Sequence, residues 1–256
     1  MKQLFWWAAL GVLALLACQN APGPAPVATQ TPVATPPLDT FPAMGVDYLM
    51  GKFDPATRTD FVKIGKPYTD KTGMMLRKEA FEAFEKMWTA ARNDGITLKI
   101  ISSTRTFSQQ KAIWEGKWSR FAQETPDPEK RALRILEYSA MPGVSRHHWG
   151  TDIDLNDLNN PSFENNGAHK SAYEWLAKHA HEYGFCQPYT PLSDPHRTGY
   201  HEEKWHWSYT PLSRPLLDQY LKTVNDSMIS GFTGAETANG IRVVENYAAG
   251  INTACR

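Results

Sequence analysis

A proline-rich stretch near the start of the chain limits where a folded core can lie. Seven prolines occur between Ala21 and Pro42, where Asp39 is the single charged residue. Proline lacks a backbone N–H and favours extended polyproline conformation, so this stretch cannot supply a regular hydrogen-bonded element. We therefore predict a stalk that ends at residue 42. The chain from residue 43 to residue 256 has a length that fits one domain.

The residues before the stalk have the pattern of a bacterial export signal. An apolar run from Leu4 to Ala17 has the length of a secretory hydrophobic region and is short for a membrane span. It ends in a sequence similar to a lipoprotein cleavage box, which predicts a signal peptide over residues 1–17 and a lipidated Cys18 that anchors the protein in a membrane. An ordinary secretory signal with an accidental cysteine is the alternative. Gln19 slightly favours the outer membrane, so we expect a periplasm-facing lipoprotein of the bacterial cell envelope.

The net charge and the cysteines indicate which binding partners and which cellular environment to expect. The formal net charge is +0, and without a basic stripe the sequence gives no indication of nucleic acid binding. Once Cys18 is lipidated, Cys186 and Cys255 remain as a pair. Outside the cytoplasm we predict a disulfide between them, with two free thiols as the alternative.

The spacing of apolar residues predicts a mixture of helices and strands. Helical periodicity is found over Leu76–Ala91, Phe107–Trp118 and Ser213–Val224, and Ser171 has the pattern of a capping box that opens a further helix. Strand-like patterns cover Ile96–Ile101, Ile153–Leu155 and Lys204–Tyr209. Because these elements do not repeat as βαβ units, the predicted fold class is α+β.

Two short segments carry residues suited to binding a metal ion. His147 and Asp154 lie seven positions apart on either side of Gly150, and Glu203 precedes His206 by three positions. Imidazole and carboxylate groups are ligands of Zn²⁺, and three protein ligands with one open position form the catalytic type of zinc site. The segments therefore predict His147, Asp154 and His206 as ligands, with Glu203 free to act as a base.

A third segment places a guanidinium group at a predicted strand-to-helix junction. Arg105 follows the strand that ends at Ile101 and precedes the helix that begins at Phe107. Arginine there can pair with a substrate carboxylate or with a developing oxyanion.

Taken together, the three segments resemble the LAS-type metallopeptidases, in particular the VanY-like D-alanyl-D-alanine carboxypeptidases. The residues that match the family patterns in order are Ser102, Arg105, Gln110, Ser145, His147, Gly150, Asp154, Glu203 and His206. The likeness spans roughly Met74 to Tyr209, within a family-like core of about residues 74–220. It implies a single α+β domain with a small antiparallel sheet flanked by helices, as in the LAS and hedgehog fold.

The resemblance also implies an activity and roles for individual residues. Zn²⁺ bound by the three predicted ligands would activate water, Glu203 would take its proton, and Arg105 would hold the oxyanion or the terminal carboxylate. Ser145, Gln110 and Trp205 are the predicted substrate-binding residues. The implied function is a D,D-carboxypeptidase that removes terminal D-Ala from peptidoglycan stem peptides. We expect the protein to be a monomer. Alternatives are an L,D-carboxypeptidase or murein endopeptidase on the same scaffold, and a zinc-containing binding domain without hydrolytic activity.

The sequence departs from the family pattern at two places near the site. Ser103 and Thr104 replace the usual glycine and tyrosine before Arg105, which affects the expected shape of the substrate pocket. Asp152 replaces the usual alanine and would share a strand face with Asp154. It could orient a metal ligand or add negative charge near the metal, and both interpretations stay open at this point.

Overall fold

The computed structural model describes residues 41–256. The predicted signal peptide, Cys18 and the stalk up to Thr40 lie outside the described residues. Within the described range, every helix is too short or too polar to cross a membrane.

Helices and strands alternate irregularly along the described chain. The helices are α1 (Val46–Leu49), α2 (Lys78–Asn93), α3 (Phe107–Arg120), α4 (Pro128–Leu136), α5 (Lys170–His179), α6 (Thr210–Thr223) and α7 (Ala238–Ile241). The strands are β1 (Phe61–Lys63), β2 (Met75–Arg77), β3 (Ile100–Ser102), β4 (Asp152–Leu155), β5 (Phe185–Cys186) and β6 (His206–Tyr209). Short 3-10 helices include Arg146–Trp149, directly before β4.

A four-stranded antiparallel sheet organises the fold. Its strand order is β3-β4-β6-β5, and β1 and β2 form a separate antiparallel pair. The predicted α+β class, with a small antiparallel sheet flanked by helices, is confirmed.

The two central strands separate apolar from polar residues by simple alternation. Ile153 of β4 lies opposite Trp207 of β6, and both belong to the core formed with α2 and α5. The neighbouring residue of β4, Asp154, lies opposite His206 of β6. Because successive side chains of a strand point to opposite faces, these polar residues occupy the other face of the sheet. The sequence pattern therefore fixes which face carries the polar cluster.

Two of the predicted elements differ from the structure as follows. The predicted strand over Ile96–Ile101 is reduced to β3, because the N–H of Lys99 bonds to the side chain of Asn156 in place of a neighbouring strand. The helix expected to open at Ser171 begins at Lys170 without a side-chain cap. The capping box that forms lies at the start of α3, between Thr106 and Gln109.

The predicted disulfide is confirmed. Cys186 on β5 bonds to Cys255 in the last helical turn, with their Cα atoms 5.6 Å apart. The bond ties the C-terminal segment, which forms part of the second apolar core with α3, α4 and α6, to the edge of the sheet.

Removing this disulfide should destabilise the domain substantially. A bridge that closes a loop with a sequence separation of 69 stabilises the folded state by about 4 kcal/mol in the chain-entropy description. The Cys186→Ser, Cys255→Ser double variant should therefore unfold at a lower denaturant concentration, with the loss measured by urea denaturation. Equal midpoints for the variant and the oxidised wild type would contradict this expectation.

Candidate active site

A cleft of ≈ 360 Å³ opens over the polar face of the sheet. Its lining comes from α3, the loop after α4, the 3-10 helix before β4, and the segment that leads into β6. The residues that line it are Arg105, Ile113, Lys117, Tyr138, Ser139, Ala140, Ser145, His147, Asp154, Leu158, Tyr189, Tyr200, Glu203, Trp205 and His206. A volume of this size suits a short peptide segment.

The three predicted metal ligands meet at the base of this cleft. The candidate ligand atoms of His147, Asp154 and His206 all lie within 4.8 Å of one another, and all three residues are buried. Nε2 of His147 is 3.3 Å from Oδ2 of Asp154, and Nδ1 of His206 is 3.1 Å from Oδ1 of the same carboxylate. Ligand atoms of a tetrahedral zinc site with bonds of about 2.0–2.1 Å are separated by about 3.3 Å, close to these two separations.

The hydrogen bond of His147 leaves its second ring nitrogen free to bind a cation. Nδ1 of His147 lies 2.8 Å from the carbonyl oxygen of Ser103, which can only accept, so this nitrogen carries the proton. Nε2 of His147 and Oδ1 of Asp154 are then buried acceptors without a hydrogen-bond partner. Unpaired buried acceptors are costly. A cation between them satisfies both, and the donor set therefore fits a divalent metal ion.

Asp152 fixes the second imidazole in the complementary orientation. Nε2 of His206 lies 2.9 Å from Oδ2 of Asp152, which leaves the Nδ1 lone pair of His206 facing Asp154. The Asp152 carboxylate also accepts hydrogen bonds from Arg146, Thr151 and Ser208. Of the two interpretations that the sequence left open, the structure supports an orienting partner of a ligand. Such carboxylates hold the ring and raise its basicity as a ligand.

The charges of the cluster favour a bound cation. Burial opposes ionisation of Asp154, but the adjacent imidazoles His147 and His206 keep the pKa of its carboxyl well below the usual range. Burial, together with the charge of Arg105, lowers the pKa of His147. Burial also disfavours protonation of His206, but the surrounding carboxylates raise its pKa well above the ordinary value. Positive charge is therefore stabilised at this point, as a proton or as a metal ion.

Glu203 is placed beside the ligands as a candidate base. Its Oε2 lies 3.3 Å from Nδ1 of His206, and the residue is 6 % exposed. Its N–H donates to Tyr189, and Gln187 donates to its carbonyl, so the backbone is held on both sides. Burial raises the pKa of the Glu203 carboxyl. A carboxyl with a raised pKa is suited to exchanging protons near neutral pH.

Arg105 lies beside the metal ligands, supported by two histidines. The backbone N–H of Arg105 donates to the carbonyl of His147, and the backbone carbonyl oxygen of Arg105 lies 2.7 Å from Nδ1 of His148. His148 also accepts the N–H of Gly143, and burial lowers its pKa to about 3, so it is a neutral, structural residue. Nε of Arg105 is buried without a hydrogen-bond partner, which leaves the guanidinium group available for a ligand in the cleft.

The three predicted substrate-binding residues fall in different places. Ser145 and Trp205 line the cleft, where Trp205 packs against Tyr138 at a ring distance of 6.2 Å. Gln110 does not line it: its side chain is buried and donates to the carbonyl of Ala140. Gln110 thus fastens the loop after α4, and its contact with substrate stays a prediction that the geometry does not favour.

A row of packed aromatic rings connects the C-terminal segment around Tyr247 to the site. The sequence did not indicate this arrangement. The ring of Tyr189 lies 4.7 Å from that of His206, Tyr200 lies 4.9 Å from Tyr189, and Tyr247 lies 4.9 Å from Tyr200. Tyr189 and Tyr200 line the cleft directly. The C-terminal segment therefore supports one wall of the site, and no local pattern in the sequence marked this role.

Two imidazoles, one carboxylate and an adjacent acid in a cleft are typical of metal-dependent hydrolases. Comparison with known proteins gives the family. The family model described as VanY, D-alanyl-D-alanine carboxypeptidase, matches residues 73–212 of this chain. The chain therefore belongs to this family.

Individual proteins are also similar to this chain. The chain is 32 % identical to YodJ of Bacillus subtilis over 136 residues, covering 52 % of this chain and 46 % of that protein. It is 25 % identical to a D-alanyl-D-alanine carboxypeptidase of Enterococcus faecalis over 150 residues, covering 54 % and 53 %. The chain thus spans about half the length of the curated relatives it matches. Among solved structures, the LD-carboxypeptidase LdcB is similar with a TM-score of 0.48 and 26 % identity, covering 70 % of this chain and 77 % of that one.

Proposed function

We propose that this protein is a zinc-dependent carboxypeptidase that removes C-terminal D-Ala from peptidoglycan stem peptides. The observation that carries the proposal is the convergence of candidate ligand atoms from His147, Asp154 and His206, with Glu203 beside them. Family membership supports the substrate class. A zinc-binding domain without activity would need neither a buried acid nor a free guanidinium group in the cleft.

The residues of the cleft can divide the chemistry of hydrolysis between them. A zinc ion held by the three ligands supplies Lewis acidity toward water and toward the peptide carbonyl. Glu203 accepts the proton of the attacking water and passes it to the leaving amine. Arg105 stabilises the negative charge that develops on the carbonyl oxygen. Asp152 holds the ring of His206 so that Nδ1 faces the ligand cluster.

The stereochemical preference depends on the walls of the cleft. Thr104 stands where the family pattern has a tyrosine; its hydroxyl donates to the carbonyl of Met75, and it is not among the residues that line the cleft. An L,D-carboxypeptidase and a murein endopeptidase on the same scaffold are the alternative functions. The lipid anchor at Cys18 and the periplasmic, outer-membrane location stay predictions from the sequence.

A mass-resolved cleavage assay tests the proposal. The purified protein, loaded with zinc, should release one D-Ala from a stem pentapeptide that ends in D-Ala-D-Ala. Chelation should abolish the release, and added Zn²⁺ should restore it, because three ligands cannot position water without the ion. Cleavage of a tetrapeptide in place of the pentapeptide would indicate L,D specificity. If zinc-loaded protein leaves all stem peptides intact, the proposed function is wrong.

A further inference from the structure

A second cationic side chain faces the same cleft and has no role in the chemistry described so far. Lys117 lies on α3, four positions after Ile113, and both residues line the cleft. Residues four apart share one face of a helix. The helix that begins directly after Arg105 therefore presents a second positive charge to the cleft, further along its length.

Like Arg105, Lys117 lacks an anionic partner among the described residues, whereas two other cations near the site are paired. Arg146 is paired with Asp152, and Lys204 is paired with Glu202. Over residues 41–256, no carboxylate lies within 4.0 Å of the Lys117 ammonium group. The Lys117 ammonium group donates a hydrogen bond to the hydroxyl oxygen of Ser139 at 2.5 Å. Burial and the charges of Arg120 and Arg105, against the opposing charge of Glu203, lower the pKa of this lysine. A partly buried ammonium group without a counter-ion favours an anion from outside the chain.

Ser139 extends the same binding surface. Its oxygen accepts a hydrogen bond from Lys117, so its own O–H remains free to donate into the cleft. The loop that carries Ser139 is fastened by Gln110, which donates to the carbonyl of Ala140. An ammonium group and a hydroxyl donor held side by side form a suitable site for a carboxylate.

The two cations of the cleft are suited to different anions. Arg105 is bonded through its backbone to His147 and His148 and lies beside the metal ligands, where the oxyanion develops. Lys117 is instead fastened to Ser139, on the wall formed by α3 and the loop after α4. We propose that Lys117 and Ser139 bind a carboxylate of the peptide substrate, while Arg105 serves the reacting carbonyl. This inference rests on the proposed function, since it names the part of a peptide that the cleft recognises.

The experiment measures peptide binding and turnover in charge variants of Lys117. Lys117→Met keeps most of the apolar stem and removes the charge, and Lys117→Arg keeps the charge. The matched control is Lys130→Met on α4, where Lys130 is exposed and lies outside the cleft. The peptides are a stem pentapeptide, its C-terminal amide, and a version in which the internal acidic side chains are amidated. Calorimetry in zinc-loaded Glu203→Gln protein gives the affinities without cleavage.

We expect Lys117→Met to weaken binding of the free-acid pentapeptide about 10-fold to 100-fold, the range for a hydrogen-bonded charge. In the active enzyme, KM should rise while kcat changes little. Lys117→Arg should recover most of the affinity, and Lys130→Met should match the wild type. The effect of Lys117→Met should vanish for one of the two amidated peptides. Loss of the effect with the C-terminal amide identifies the terminal carboxylate, and loss with the internal amides identifies a side-chain carboxylate.

Two results would overturn the inference. Affinity that is unchanged in Lys117→Met would show that the ammonium group does not contact the peptide. An equal loss for all three peptides would show a structural role without carboxylate recognition. The proposed function fails by a separate result, which is the absence of cleavage by the zinc-loaded wild type in the same set of assays.

Discussion

Replacing Glu203 by glutamine is expected to lower turnover by about 10²-fold to 10⁴-fold, the contribution typical of a positioned general base, while the protein retains its metal ion. The amide keeps the size of the side chain but cannot accept a proton from water. Glu203 lies 3.3 Å from His206 without belonging to the His147, Asp154 and His206 ligand set. The three ligands stay in place in the variant, so metal binding should survive.

The measurement combines steady-state kinetics on a stem pentapeptide with metal analysis of the same preparation. Glu202→Gln is the matched control, because this neighbouring acid pairs with Lys204 and does not line the cleft. Its kcat should remain within about twofold of the wild type, since substitutions away from the site have small effects. Full activity in Glu203→Gln would show that another group takes the proton. Loss of metal in that variant would show that Glu203 is itself a ligand.

The convergence of His147, Asp154 and His206 could be predicted from the sequence because its geometry follows from local rules. Asp154 and His206 lie directly opposite one another on β4 and β6, and strand alternation places both on the polar face. Gly150 has a φ of 73°, a conformation that lets the chain turn between His147 and β4. A side chain at Gly150 would also collide with Phe61. The motif spacing and the position of the glycine therefore predict which three residues meet at the base of the cleft.

The partners of the ligands could not be predicted in the same way. Arg146 and Ser208 bond to Asp152 from positions 6 and 56 residues away, and the sequence does not show which polar residues meet across a sheet. Gln110 matched a family pattern, but its side chain turns toward Ala140 because the loop after α4 packs against α3. The wall formed by Tyr189, Tyr200 and the C-terminal segment depends on tertiary packing alone. Local patterns predict elements, whereas these contacts arise only when distant elements meet.

The Asp152→Asn substitution is expected to have the second large effect, on stability and on metal affinity together. Asp152 is 0 % exposed, and its carboxylate accepts hydrogen bonds from Arg146, Thr151, Ser208 and His206. An asparagine offers one acceptor oxygen and turns an NH₂ group toward the remaining donors. The charge of Arg146, itself 1 % exposed, would lose its only carboxylate partner among the described residues. Removing one partner of a buried pair costs about 3–5 kcal/mol.

The stability loss should depend on pH in a defined direction. Burial opposes ionisation of Asp152, but the Arg146 charge and the hydrogen bond from His206 hold the pKa of its carboxyl below the value in the unfolded chain. A carboxylate of this kind stabilises the fold fully above its unfolded pKa, about 3.9, and the contribution is lost as the pH falls toward the folded pKa. The difference between wild type and Asp152→Asn in urea denaturation of the metal-free protein should therefore be largest near neutral pH and should shrink below about pH 4.

Metal affinity should fall about 10-fold to 100-fold in the same variant, the usual effect of losing the hydrogen-bond partner of a ligating imidazole. With an amide at position 152, the proton of His206 is no longer held on Nε2, and part of the population carries it on Nδ1, where the ligand lone pair is needed. Ser208→Ala is the matched control, because it removes one hydrogen bond to the carboxylate and leaves both its charge and its contact with His206. Zinc titration against a competing chelator should show a large loss for Asp152→Asn and a near-normal affinity for Ser208→Ala. Equal affinities in the two variants would mean that the orientation of His206 is set by β6 alone.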